Sequence, residues 1–364
     1  MQRQQQLTKW LHSLFPDEQF TLAPASADAS FRRYFRITFQ NHEENDGQDN
    51  RREQPDMQGV AQRAGSLIVM DAPPQHEDCR PFLHIAKLFE AAGTHVPHVY
   101  AQDLEQGFLL LSDLGNTTYL QVLAGGETGA ARTLYGDATD ALINIQLASR
   151  DNELPPYDEA LLMREMRLFP DWYIAKHLNV TLNDAQKAKL ETVFARIIAN
   201  NLAQPRVYVH RDYHSRNLMK LDENNPGILD FQDAVYGPIT YDLASLFKDA
   251  YIRWEEAEII DWLIRYWEQA RKAGLPVHND FSEFYRDYEW MGVQRHLKVL
   301  GIFARLYHRD GKEAYLKDLP LVMSYLRAAC ARYIDLKPLL NLLDVLEPHI
   351  KPACEGENVE DTRK

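Results

Sequence analysis

Hydrophobic and polar positions change rhythm along this chain. Ser30-Phe31-Arg32-Arg33-Tyr34-Phe35-Arg36-Ile37-Thr38-Phe39 alternates over its second half and is rich in aromatics, which predicts a strand. Over 41–65 apolar residues nearly vanish, and such a stretch cannot offset its ordering entropy, so a mobile loop is expected there. Ser66-Leu67-Ile68-Val69-Met70 reads as a buried strand ending before Pro73-Pro74. A helix is expected over 81–92, with Phe82, Ile85, Ala86 and Phe89 on one side and Gly93 as its stop. Gly107-Phe108-Leu109-Leu110-Leu111-Ser112 is a further buried strand. Beyond it the period becomes helical. Leu190, Val193, Phe194, Ile197 and Ile198 share one face over 184–201, capped by Asn183 or Asp184. Ile259, Ile260, Leu263 and Trp267 do the same over 257–272, with Gly274 and Pro276 ending it, and more helices are expected over 281–349. The pattern predicts an α+β protein: a small β-rich lobe over 1–114, a larger helical lobe over 115–350 and a polar tail over 351–364.

Composition narrows the function classes. The 364 residues carry 53 acidic against 40 basic side chains, a formal net charge of −13, and the length accommodates two lobes. That balance argues against a nucleic-acid groove, which needs a basic face. No apolar run of about 18 residues occurs, so no membrane span is expected. The opening Met1-Gln2-Arg3-Gln4-Gln5-Gln6 leads into no apolar signal core. Three distant cysteines, Cys79, Cys330 and Cys354, make no disulfide framework, so a cytoplasmic protein is expected.

One block interrupts the helical lobe with strands. It reads Val207-Tyr208-Val209-His210-Arg211-Asp212-Tyr213-His214-Ser215-Arg216-Asn217-Leu218-Met219, then a turn at Asn224-Asn225-Pro226-Gly227, then Ile228-Leu229-Asp230-Phe231-Gln232-Asp233. Phosphoryl transfer needs a carboxylate to orient the acceptor hydroxyl and accept its proton, and oxygen ligands to hold magnesium against the nucleotide phosphates. The kinase loop H-R-D-x-x-x-x-N sets its Asp five residues before its Asn, as Asp212 and Asn217 stand here, and Asp230 follows in an apolar run where a second metal carboxylate belongs. Asp212 is therefore the candidate catalytic base, and Asn217 and Asp230 are the candidate metal ligands.

The block resembles the aminoglycoside phosphotransferase and choline kinase superfamily, with its H-x-D-x-x-x-x-N loop and its metal Asp before Phe or Trp. The resemblance covers about residues 29–306. It implies a protein-kinase-like two-lobed fold, ATP and Mg2+, and a brace on the catalytic loop from Asp242 of Gly237-Pro238-Ile239-Thr240-Tyr241-Asp242-Leu243-Ala244, with His210 supporting the same loop. An N-cap is the plainer reading of Asp242. The same block, with the segments Ser30-Phe31-Arg32-Arg33-Tyr34-Phe35-Arg36, Ser66 to Pro74 and Glu165-Met166-Arg167-Leu168-Phe169-Pro170-Asp171-Trp172-Tyr173, looks more closely like the bacterial anomeric amino-sugar kinases of cell-wall recycling. That likeness implies transfer of the γ-phosphate of ATP to the C1 hydroxyl of N-acetylmuramate or N-acetylglucosamine.

Two kinase parts are altered. The loop expected over the phosphates, Pro24-Ala25-Ser26-Ala27-Asp28-Ala29-Ser30, contains no glycine, which leaves Ser26 and Ser30 as candidate phosphate donors. The strand at 66–70 has no lysine, so another cation must face the phosphates. Arg32 and Arg36 share a strand face with Tyr34, while Arg33 lies opposite with Phe35, and Arg32 is the favoured candidate. Without that lysine, Glu90 reads as a surface charge. Leu111 and Asp113, on the linker between lobes, are the candidates for contacting the base.

For the acceptor, sugars call for an aromatic platform with hydrogen-bonding side chains. Glu165, Trp172, His214 and Arg216 are the candidates, Phe169 and Tyr173 flank Trp172, and Gln232 and Asp233 follow the metal Asp. A lactyl carboxylate on the acceptor needs a cation, for which Arg295 and Lys298 stand on a late helix. The expected partner is a small-molecule amino sugar, and a monomer or weak homodimer is expected. Three alternatives stay open: a phosphotransferase for aminoglycosides or another hydroxylated metabolite, a metal-dependent hydrolase built on His210, Asp212 and His214, and an inactive kinase-fold scaffold.

Overall fold

A computed structural model of the chain describes residues 2–27, 31–40 and 57–347. It divides into two compact units, Met1–Thr117 with Met219–Asp233, and Thr118–Leu218 with Ala234–Lys364. The stretch around Asp230, read above as part of the helical lobe, thus belongs with the strand-rich unit.

The first unit is built on a five-stranded antiparallel sheet. Its strands are β1 (Phe20–Ala27), β2 (Arg33–Phe39), β3 (Ser66–Asp71), β4 (Val99–Asp103) and β5 (Phe108–Ser112), in the order β1-β2-β3-β5-β4. Ile37 pairs with Leu67, and Ile68 pairs with both Arg36 and Leu111. Alternation sends Ile37, Phe39, Leu67, Val69, Phe108 and Leu110 to one face, where they pack with Leu7, Leu11 and Phe15. Each such fully buried side chain contributes about 1.5–3 kcal/mol. Tyr34, Arg36, Ile68, Leu109 and Leu111 alternate onto the other face.

Two helices on the core face were not expected. Gln2–Leu14 buries Leu7 and Leu11 at the spacing of one helical turn, behind a glutamine-rich start that hides the pattern. Met57–Ala64 lies within the expected mobile loop, yet Val60 and Ala61 are buried in the core and Met57 packs against it. The four-residue apolar set Met57, Val60, Ala61 and Ala64 forms a short helical stripe, outweighed in the sequence window by its polar surroundings. The remainder of that loop, 41–56, is outside the described residues. The expected phosphate loop at 24–30 is also shortened. β1 continues through Ala27 with a register shift between Pro24 and Ser26, and Ser26 pairs with Tyr34. Ser30 lies outside the described residues.

The second unit is helical around Phe281–Asp310, whose residues from Tyr288 to Gly301 are buried. Gly301 explains how closely that helix is approached. A Cβ there would stand 2.3 Å from the Leu168 carbonyl carbon, so only glycine lets the 165–170 backbone lie against it. Helix Asp184–Ala203 starts at Asn183 with a reciprocal capping box to Gln186, and Gly274, at φ +88°, ends helix Glu256–Ala273. Strands Arg206–Val209 and Val235–Pro238 pair antiparallel, Tyr208 opposite Tyr236, and frame the loop that begins at His210.

Candidate active site

The loop leaves its strand under tight control. Asp242 lies in the first turn of helix Tyr241–Phe247 and accepts from the backbone N–H groups of His210 at 2.7 Å and Arg211 at 2.9 Å. It is a brace rather than an N-cap; the cap position is held by Thr240. Burial pushes the Asp242 carboxyl up to about 7, against those two N–H donors, and the Asp212 charge adds to the rise. Arg211 has φ 77°, a left-handed conformation that costs a non-glycine residue about 1–3 kcal/mol. His210 is fully buried, and its Nδ1 accepts from the Asp212 N–H at 3.3 Å.

The turn then closes on itself. The Asp212 carbonyl accepts from the His214 N–H at 3.1 Å and from the Asn217 side-chain amide at 3.0 Å. Asn217 N–H donates to the His214 carbonyl at 2.9 Å. Tyr213 is buried and its hydroxyl donates to the Ala138 carbonyl at 2.8 Å. Asp249, also buried, accepts from the Ser215 hydroxyl and from its N–H at 3.1 Å. Sequence reasoning missed Asp249 because nothing in its local pattern marks a partner 34 residues away.

Beneath the loop sits an ion cluster centred on Glu165. Its oxygens accept from Arg211 at 2.5 Å, Lys298 at 3.1 Å, Gln294 at 3.1 Å and the Tyr157 hydroxyl. Expected above to bind substrate, Glu165 is instead buried with both oxygens committed to protein. Burial alone would raise its carboxyl, but Lys298, Arg211 and Tyr157 outweigh that and hold it below the usual range. Lys298 also donates to the Tyr241 hydroxyl at 3.0 Å, so it serves this cluster rather than an acceptor. Burial opposes charge on Lys298, yet Glu165 and Tyr241 keep its ammonium protonated well past its ordinary range. Asp212 feels the same field. Burial alone would raise it, but Lys298, His214, Arg211 and Arg295 hold it below the usual carboxylate range. His214 is pushed down by burial, against the pull of Asp249 and Asp212.

Of the aromatic platform, Phe169 and Tyr173 are core residues stacked on each other at 5.3 Å, and only Trp172 is half-exposed. All three lie on a π-helix, Phe169–His177, a geometry that recurs at functional sites. Arg216 lies over the Tyr251 ring at 3.7 Å, and His214 meets the same ring edge-on at 5.6 Å.

In the first unit, Asp230 also has a left-handed backbone, φ 64°. Phe231, fully buried, packs its ring at a tilt against Phe82 at 4.8 Å and Phe89 at 5.9 Å, and the Gln232 amide donates to Asp230 Oδ1 at 2.8 Å. Backbone position and carboxylate are thus both fixed. Asp113, a candidate for the base, is instead a clamp at the end of β5. It accepts from Arg36 at 2.9 Å, Ser66 at 2.8 Å and the Gly115 N–H at 3.0 Å. Burial alone would raise it; those donors hold it below its usual range. Leu111 is buried within the sheet. Arg32 pairs with Glu77 at 3.5 Å and Arg33 with Asp71, while the exposed Glu90 pairs with His98 at 3.0 Å. Among the described residues no group of three or more His, Cys, Asp or Glu side chains is assembled to hold a metal. The buried His210, turned to its own loop, does not suit the hydrolase alternative.

The chain that carries this braced H-R-D loop and the pinned aspartate before a buried phenylalanine matches a family model, APH, the phosphotransferase enzyme family, over residues 21–281. The chain belongs to this family. It is therefore an enzyme, a phosphotransferase, and its two-part architecture is the protein-kinase-like APH fold. A relative from Pseudomonas aeruginosa, named N-acetylmuramate/N-acetylglucosamine kinase, is 49% identical over 351 residues, covering 94% of this chain and 96% of that one. A relative of the same name from Neisseria meningitidis serogroup B is 48% identical over 345 residues, with the same coverage. The solved structure of ADP-bound aminoglycoside phosphotransferase APH(2'')-Ib superposes with a TM-score of 0.55 at 14% identity, covering 88% of this chain and 97% of that one. Among the described residues of this APH-family chain, no helix is long and apolar enough to cross a membrane.

Proposed function

We propose that this phosphotransferase uses ATP and Mg2+ to phosphorylate the anomeric C1 hydroxyl of N-acetylmuramate or N-acetylglucosamine, giving a sugar 1-phosphate in the cytoplasm. The observation that carries the chemistry is the Asp212 carboxylate, held below the usual range against its burial by Lys298, Arg211 and Arg295 nearby, on a loop braced by Asp242 and Glu165. Near-half identity over almost the whole chain supports the acceptor class.

Asp212 orients the attacking hydroxyl and takes its proton as the bond to phosphorus forms. A carboxylate of depressed basicity suits this role, because the transition state is loose and the proton moves late. Asn217 commits its amide nitrogen to the Asp212 carbonyl, so its oxygen is the donor offered to a metal; Asp230 offers a carboxylate. An amide oxygen, a carboxylate and substrate phosphates are the donor set that magnesium takes. When bound, the ion neutralises charge on the phosphates. Arg32 is the proposed cation toward the phosphates in place of a strand lysine, Ser26 and Ser30 are the proposed hydroxyl donors to them, and the base is proposed to lie against β5 near Leu111. Trp172, His214 and Arg216 border the acceptor.

The test is ATP turnover by the purified protein with N-acetylmuramate, N-acetylglucosamine, choline and an aminoglycoside, followed by phosphorus NMR of the product. A phosphate coupled to the anomeric proton of either amino sugar is expected. Phosphorylation of the aminoglycoside alone overturns the acceptor assignment.

A further inference from the structure

Arg295 stands on helix Phe281–Asp310 between Gln294 and Lys298, both of which point into the Glu165 cluster. It is 4% exposed, and its guanidinium makes no hydrogen bond or ion pair with any described residue; one terminal nitrogen is wholly buried and unpartnered. This is an unusual state for a permanently charged group. Burying a cation without a counter-ion costs several kcal/mol, and arginines found inside proteins are as a rule paired. Its neighbour Lys298 meets that requirement through Glu165; Arg295 touches no carboxylate and feels Asp212 and Asp242 only at a distance. Through Gln294 and Lys298 its helix reaches the Glu165 cluster that holds Arg211 of the catalytic loop, and its charge acts on Asp212 and His214 of that loop. His214 adds a second buried and unpartnered nitrogen, Nδ1.

Resting on the acceptor proposed above, we infer that Arg295 is the recognition residue for the lactyl carboxylate that distinguishes N-acetylmuramate from N-acetylglucosamine. The planar fork of the guanidinium fits a carboxylate bidentately, and the buried setting strengthens the pair. A transferring phosphoryl group is the other oxyanion that a catalytic pocket holds. The two sources differ in one respect: a phosphoryl contact serves both sugars equally, a carboxylate contact serves only one.

The experiment measures kcat/KM of the wild-type enzyme and of Arg295→Met and Arg295→Gln on both sugars. Turnover of both by the wild type secures the acceptor class, so the variants then test Arg295 alone. The ratio of N-acetylmuramate to N-acetylglucosamine efficiency is expected to fall at least tenfold in both variants and to recover in part in Arg295→Lys. An unchanged ratio, with both sugars losing equally, assigns the arginine to phosphate and overturns the inference. A measurement needing no variant guards against misfolding. With the wild type, N-acetylmuramate carrying its lactyl group as the primary amide is expected to show a KM at least tenfold above that of the acid. Equal KM values overturn the inference as well.

Discussion

The backbone N–H of Arg211, at φ 77°, is held at 2.9 Å by Asp242, while its guanidinium is held at 2.5 Å by Glu165. A strained residue gripped at both ends is how this loop fixes the position of the next one, Asp212. Replacing Asp242 by Asn leaves only one side-chain oxygen for two N–H donors and turns an NH2 group toward the other. Asp242→Asn is expected to lower kcat at least tenfold and to lower the melting temperature; thermal unfolding and steady-state kinetics read both. Normal turnover would remove Asp242 from the brace.

Asp212→Asn is expected to lower kcat by about a thousandfold, within the roughly 10²–10⁴ usual for loss of a general base. The KM for ATP should change little, since no nucleotide contact is assigned to this residue. Near wild-type turnover would dismiss Asp212 as the base.

Glu165→Gln strands Lys298 and Arg211 without their carboxylate. Removing one partner of a buried ion pair costs about 3–5 kcal/mol. Chemical denaturation should show that loss at neutral pH. Because the Glu165 pKa is lowered in the folded protein, its contribution is present above the unfolded carboxyl pKa and fades as pH falls through the folded one. The wild-type advantage over Glu165→Gln should therefore shrink in acid, and an advantage that grows in acid contradicts the pairing.

The pH dependence of turnover tests the field around Asp212. Its depressed pKa keeps it ionised at neutral pH, so the acid limb of kcat should lie below the ordinary aspartate range. Lys298→Met removes the largest of the cationic contributions and should move that limb upward. An unmoved limb would show that Asp212 does not set it.

How far the sequence carried depends on the range over which each feature is encoded. Asp212, Asn217 and Asp230 could be proposed from the sequence because they stand at short, fixed spacings on one loop and just after the short strand that follows it. Glu165 was misread because its meaning lies in Arg211, Gln294 and Lys298, which are 46 to 133 residues distant in the chain. The same holds for Asp113, whose partner Arg36 lies 77 residues earlier. Arg295 and Lys298 were indistinguishable as candidates until pairing separated them. Helix Met57–Ala64 was missed for a different reason: its apolar stripe is four residues long inside a polar window. Val60→Asp is accordingly expected to destabilise the first unit by several kcal/mol, through a charge buried without a partner; a melting temperature within a degree of wild type would return the segment to the loop it was first read as.

The first unit is assembled from two separated pieces of chain, since Phe231 of the 219–233 segment completes the aromatic cluster with Phe82 and Phe89. No single cut after Thr117 can therefore release it whole; such a fragment would emerge with two phenylalanines uncovered. During synthesis the same arrangement imposes an order. The ribosome has to deliver some hundred residues of the other unit before the first can close its own interior.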